Sequence, residues 1–134
     1  MLKKKWLVPF LCVAVMGVVA LTPGVSSAVQ CTIAGTNGDD NLPGTPGSDK
    51  ICGFAGHDTV FGHAGNDTVT AGYGDDRVTG GEGSDQMKGG PGDDTLQGDD
   101  DDDADTMYGN SGNDRCVGGA EDWFDASCET VIIT

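Results

Sequence analysis

Between residues 35 and 117 the chain sets one apolar residue in every nine, among glycine, aspartate, asparagine, serine and threonine. The apolar positions are Leu42, Ile51, Val60, Val69, Val78, Met87, Leu96, Met107 and Cys116. In blocks counted from Gly35 they occupy position 8, and position 6 is aspartate every time: Asp40, Asp49, Asp58, Asp67, Asp76, Asp85, Asp94, Asp105 and Asp114. Every block has nine residues except 98–108, which has eleven and restores the frame. A fixed short period of this kind is the mark of a solenoid.

The pattern also predicts the elements. Positions 1 to 6 carry turn chemistry, with glycine supplying backbone angles closed to side chains. Asn or Asp, tolerant of the left-handed region, fills position 5 in five blocks. Positions 7 to 9, such as Thr59-Val60-Phe61, predict a three-residue strand whose middle residue points inward. Two blocks then make one coil, coils stack at about 4.8 Å, and each block lies over the next but one. The expected fold is all-β: a parallel β-roll, a two-sheet solenoid with two nonapeptides per coil and a thin core of position-8 side chains. Composition alone would also suit a disordered Gly/Asp-rich tail. A solvating tail needs no register, and this chain keeps one.

Both ends need caps, because a terminal coil has no neighbour to cover it. Extending the frame backward puts Ile33 at position 8, so Cys31-Thr32-Ile33, within 29–34, reads as a capping strand. Beyond Val117 the frame decays. Residues 118–134 form the C-terminal cap, with Trp123 and Phe124 read as a plug over the last coil, or else as a partner contact. The acidic run Asp99 to Asp103 reads as a solvated bulge, with a further cation site as the alternative.

The first 28 residues stand outside this domain. Lys3, Lys4 and Lys5 precede an apolar run from Trp6 to Leu21, and Ser26-Ser27-Ala28 offers small residues for cleavage. This is the layout of a secretory signal peptide cut after Ala28. A membrane anchor is the alternative, but the run is short for a bilayer span and contains Pro9. A lipoprotein anchor fits less well, since Gln30 precedes Cys31 where a small residue is wanted. Cleavage leaves four basic residues against 22 acidic ones, a net charge of −18. Nucleic acid is excluded as a partner and anionic membrane surfaces are disfavoured, so no stable membrane insertion is expected after cleavage. Cations are favoured.

Four cysteines remain, Cys31, Cys52, Cys116 and Cys128, an even number suited to disulfides in an exported chain. Of three pairings, Cys31–Cys52 with Cys116–Cys128 is preferred, because each closes a local loop at one end of the array. Zinc is the rival, without any CxxC pair to support it.

The nonapeptide resembles GGxGxDxUx, the calcium-binding repeat of RTX (haemolysin-type) proteins. Gly80–Lys88 and Gly89–Gln97 fit it throughout; Thr36, Thr45, Phe54 and His63 depart at position 2, and Ala71 at position 1. The resemblance implies that several Ca2+ ions sit between turns stacked one coil apart. The nine position-6 carboxylates and the carbonyls of the glycine-rich turns would hold them. The chemistry agrees, since calcium takes six to eight hard oxygen ligands and tolerates irregular geometry that magnesium does not. Transition metals prefer nitrogen or sulfur; His57 and His63 sit in turns and read as ordinary turn residues. So thin a core under so much like charge is expected to fold only with calcium.

No motif for catalysis is present: neither HExxH nor GxSxG, nor a glycine loop leading into a helix. A non-enzymatic, secreted calcium-binding protein is the expectation. The alternative is a surface adhesin or structural extracellular protein that uses the roll as a scaffold. Its outward strand positions carry only one Thr-x-Thr, at Thr68-Val69-Thr70, so a regular crystal-binding ladder is not expected.

Overall fold

The computed structural model describes residues 30–99 and 102–134. The signal peptide read at 1–28 lies outside the described residues, as do Asp100 and Asp101 of the acidic run.

The described chain forms strands β1 (Ile33–Ala34), β2 (Asn41–Pro43), β3 (Lys50–Ala55), β4 (Thr59–Ala64), β5 (Thr68–Tyr73) and β6 (Arg77–Glu82). It continues with β7 (Gln86–Pro91), β8 (Thr95–Gln97), β9 (Thr106–Ser111), β10 (Asp114–Gly118), β11 (Trp123–Phe124) and β12 (Cys128–Ile133). Odd strands build one sheet in the order β1-β3-β5-β7-β9-β11; even strands build the other, β2 to β12. All pairs are parallel, in the register the repeat predicts: Ile51 lies beside Val69, Val69 beside Met87, and Met87 beside Met107. The eleven-residue block lengthens one coil without breaking that register, because its extra residues leave the strands.

The core is a single file between the sheets. Ile51, Val60, Val69, Val78, Met87, Leu96, Met107 and Cys116 are fully buried, and Leu42 and Ala71 join them. Each such side chain buried contributes about 2 kcal/mol, so the file is continuous but thin.

Most strands are longer than the three residues expected. They run on through positions 1 to 3 of the next block, as in Lys50–Ala55 and Thr68–Tyr73. The glycines of position 1 therefore belong to the ladder rather than to the turn. A Cβ at Gly53 would collide with the Ala71 carbonyl oxygen of the next coil, and one at Gly62 with that of Gly80. Glycine here lets two backbones stack closely as well as turn.

The caps differ from expectation in detail. The first strand is Ile33–Ala34, paired with β3 through Ile33 and Ile51. At the other end Trp123 and Phe124 form a strand beside β9, so the cover over the last coil is a paired strand to which only Phe124 lends a ring. Strand alternation sends the two rings opposite ways: Phe124 packs on the core, whereas Trp123 stays half exposed, edge-on to Tyr108. The final residues, Cys128–Ile133, add an unforeseen strand beside β10. Both preferred disulfides form. Cys31–Cys52 and Cys116–Cys128 have Cα separations of 6.0 and 5.8 Å, and each ties an edge strand or its flank to the coil it covers.

Candidate metal centre

Position 6 lies at the end of each turn, two residues before the inward apolar side chain. Two residues is one strand repeat, so the aspartate points the same way, into the roll. Asp58, Asp67, Asp76, Asp85, Asp94, Asp105 and Asp114 are each at most 3% exposed. Stacking by 18 residues sorts the acids into two columns, one along each edge.

Each column is stitched by its own backbone. The N–H of Asp40 donates to Oδ1 of Asp58 (2.9 Å), Asp58 to Asp76 (2.7 Å), Asp76 to Asp94 (2.8 Å) and Asp94 to Asp114 (2.9 Å). On the opposite edge Asp49 donates to Asp67 (2.7 Å), Asp67 to Asp85 (2.8 Å) and Asp85 to Asp105 (2.8 Å). One carboxylate oxygen per turn thus serves the coil before it.

The other oxygen divides the columns. Oδ2 of Asp58, Asp67, Asp76, Asp94 and Asp114 is buried and accepts no hydrogen bond. A buried ionised oxygen without a donor is costly, and each is an acceptor waiting for a positive partner. At Gly53 the missing side chain would fill the space shared by Asp58 Oδ2 and the Ala71 carbonyl. At Gly62 it would fill that between Asp67 Oδ2 and the Gly80 carbonyl. Carboxylate and carbonyl oxygens of successive coils therefore crowd against these glycines, leaving no room for a side chain.

Among the described residues no three His, Cys, Asp or Glu side chains gather as a metal group. A cation here must draw much of its shell from main-chain carbonyls. That suits calcium and excludes the nitrogen and sulfur sets of zinc or copper. The donors present fit a hard cation.

Electrostatics points the same way. Burial, followed by the charges of Asp76, Asp114 and Asp75, pushes Asp94 up to about 7, although the Asp76 N–H opposes the shift. Burial likewise raises Asp58, Asp67, Asp76 and Asp114, each with help from a neighbouring acid. These are the directions expected for carboxylates crowded together away from water.

Asp40 and Asp49 differ. Oδ2 of Asp40 accepts from the Thr36 N–H (2.6 Å) and hydroxyl (2.9 Å). Oδ2 of Asp49 accepts from the Thr45 N–H (2.6 Å) and hydroxyl (2.8 Å), and its Oδ1 from the Thr32 hydroxyl. Burial works to raise Asp49, but these bonds outweigh it and hold the carboxyl low.

Two acids missed in the sequence continue the columns past the repeats. Asp122 Oδ1 accepts from the Asp105 N–H (2.9 Å), and Glu129 Oε2 accepts from the Asp114 N–H (2.6 Å). Asp122 lies 17 residues from its partner and Glu129 lies 15, so neither keeps the period that marked the others.

His57 bears out its reading as a turn residue. It stands at position 5, where a second ladder runs: the His57 N–H donates to Asp39 Oδ1, and the Asp75 N–H meets His57 Nδ1 at 3.0 Å. His63 lies on a strand, near the Phe61 ring. Of the acidic run, Asp99, Asp102 and Asp103 fall in the loop between β8 and β9, as a bulge should.

The sequence model of the RTX calcium-binding nonapeptide repeat matches the chain in four copies, over residues 34–69, 53–87, 70–104 and 100–122. Among solved structures the chain is similar to the AlgE6R3 subunit of the Azotobacter vinelandii mannuronan C5-epimerase, determined in solution. Identity is 28% and the TM-score 0.47, with 78% of this chain and 54% of that one covered. The chain thus spans about half the length of that subunit. No curated protein matches it.

Proposed function

The chain belongs to the RTX calcium-binding nonapeptide-repeat family, and on that premise we propose that it is a secreted, non-enzymatic protein that folds by binding several calcium ions between its coils. The observation that carries this reading is the file of buried Oδ2 atoms without donors, at Asp58, Asp67, Asp76, Asp94 and Asp114 along the interior coils. Asp58, Asp67, Asp76, Asp94 and Asp114 would hold calcium through Oδ2, with turn carbonyls completing the shell. Bound calcium would supply the positive charge that lets these carboxylates stay ionised so close together. The residues themselves orient the site: each Oδ1 is fixed by the amide of the preceding coil, which leaves Oδ2 aimed at the turn.

Folding follows from the same arrangement. An interior turn has a neighbour on either side, so ordering one turn completes half of the next site. Export is supported by the amino-terminal sequence and by two disulfides, which persist in oxidising compartments. The net charge argues against nucleic acid and anionic membranes as partners.

Calcium titration of the chain, followed by far-ultraviolet circular dichroism, tests the proposal. The β signal should rise cooperatively with calcium and not with equal magnesium. A full β spectrum in excess chelator would refute calcium-dependent folding.

The scaffold reading has one observation in its favour. A groove of about 390 Å³ crosses the sheet of β3, β5, β7 and β9, bordered by Phe54, Thr70, Tyr73, Lys88, Pro91 and Asn110. Phe54 and Tyr73 are exposed, and Phe54 holds φ at +80°, which is costly for an aromatic residue. Loss of cell or glycan binding on Phe54→Gly, with calcium binding intact, would identify the roll as an adhesive scaffold.

A further inference from the structure

The same repeat position takes two backbone conformations, and the difference falls on the two threonines. In the interior blocks position 2 lies in the left-handed half of backbone space: Phe54 at φ +80°, His63 at +82°, Gly72 at +128°, Gly81 at +110° and Gly90 at +143°. Thr36 and Thr45, at position 2 of the first two blocks, do not. A β-branched residue is among the least able to enter that region, so threonine selects the other conformation. There its amide and hydroxyl both reach the position-6 carboxylate four residues on, at 2.6–2.9 Å. At Asp58, Asp67 and Asp76, with phenylalanine, histidine or glycine at position 2, the equivalent oxygen has no donor.

We propose that Thr36 and Thr45 end the cation array: their paired donors occupy Oδ2 of Asp40 and Asp49 in place of an ion, and calcium binding begins at Asp58. The inference rests on the calcium-binding reading above and narrows it. Two neutral donors satisfy one carboxylate oxygen, whereas a cation would have to break both bonds to reach it. The placement is apt, because among the described residues only the short strand β1 and its flank precede the first coil. The same coil carries the Cys31–Cys52 disulfide, so its closure is covalent and hydrogen-bonded. The far end repeats the device with a different donor: Asp122 Oδ2 accepts from the Gly119 N–H at 2.8 Å.

The test counts calcium per chain by native mass spectrometry at saturation, on the oxidised full chain. Thr36→Gly/Thr45→Gly restores glycine and access to positive φ, and should gain calcium, about one ion per restored turn. Thr36→Ser/Thr45→Ser keeps both donors and should leave the count unchanged. Asp40→Asn/Asp49→Asn should also leave it unchanged, while Asp58→Asn lowers it. A fall in Asp40→Asn/Asp49→Asn, or no gain in a folded glycine variant, overturns the inference and leaves calcium binding itself standing. Should the glycine variant not fold, the asparagine pair still decides. A wild-type chain that takes up no calcium overturns the proposed function instead.

Discussion

Asp94→Asn should act in opposite directions with and without calcium. The aspartate is 1% exposed and stacked between Asp76 and Asp114, and these surroundings bring its carboxyl up to about 7 from 3.8. At 1.36 kcal/mol per pKa unit, holding it ionised in the calcium-free fold costs roughly 4 kcal/mol at pH 8. Because the folded value is raised, the favourable contribution belongs to the protonated form. It is complete below about pH 4 and is lost as the pH climbs through about 7. The calcium-free chain should therefore gain order on acidification. Asparagine keeps an oxygen for the Asp76 N–H but carries no charge, so the variant should be the more stable at pH 8 and nearly equal at pH 4. In calcium the order reverses, since the variant lacks one anionic ligand.

The residual β signal of the calcium-stripped chain, read by circular dichroism at pH 4, 6 and 8, measures this. Calcium is best stripped by a chelating resin, because soluble chelators weaken in acid. A calcium-free β signal that rises from pH 4 to pH 8, or an Asp94→Asn chain with less β signal than wild type at pH 8 without calcium, would refute the electrostatic account.

Asp76→Ala, near the middle of its column, should raise the calcium midpoint and lower the Hill slope. Asp40→Ala, whose Oδ2 is already satisfied by Thr36, should change neither appreciably; parallel titrations compare them. Gly62→Ala should cost about 2 kcal/mol or more in calcium-saturated urea unfolding, because its methyl meets the Gly80 carbonyl and Asp67 Oδ2. Removing the second disulfide by Cys116→Ser/Cys128→Ser should lower stability by about 3 kcal/mol in the same assay, given its short loop and the release of β12.

The repeat made the architecture readable, since one apolar residue per nine can be buried in few ways. Ile51, Val69, Met87 and Met107 stack as their spacing requires. Strand length was not legible, because glycine at positions 1 and 2 signals a turn and a close backbone contact alike. Nor were Asp122 and Glu129, whose spacing breaks the period while their carboxylates still reach the last amides of each column. Strand β12 was hidden for a similar reason. Val131, Ile132 and Ile133 lie outside the repeat, and only their pairing with β10 reveals them as the covering edge.

An invariant residue need not have an invariant partner. Position 6 does two things in each turn, and the structure separates them by oxygen. From Asp58 to Asp114 Oδ1 accepts a backbone amide from the preceding coil, so an oxygen at position 6 serves stacking by itself. Oδ2 takes whatever its turn supplies: threonine donors at the first two blocks, and no donor at Asp58, Asp67, Asp76, Asp94 and Asp114. If calcium binding begins at Asp58, as proposed, the aspartate marks where a coil stacks and position 2 marks whether that coil takes a metal. Nine acids would then overstate the ion sites, and the two threonines, which look like lapses from the nonapeptide, would be what closes the first coil.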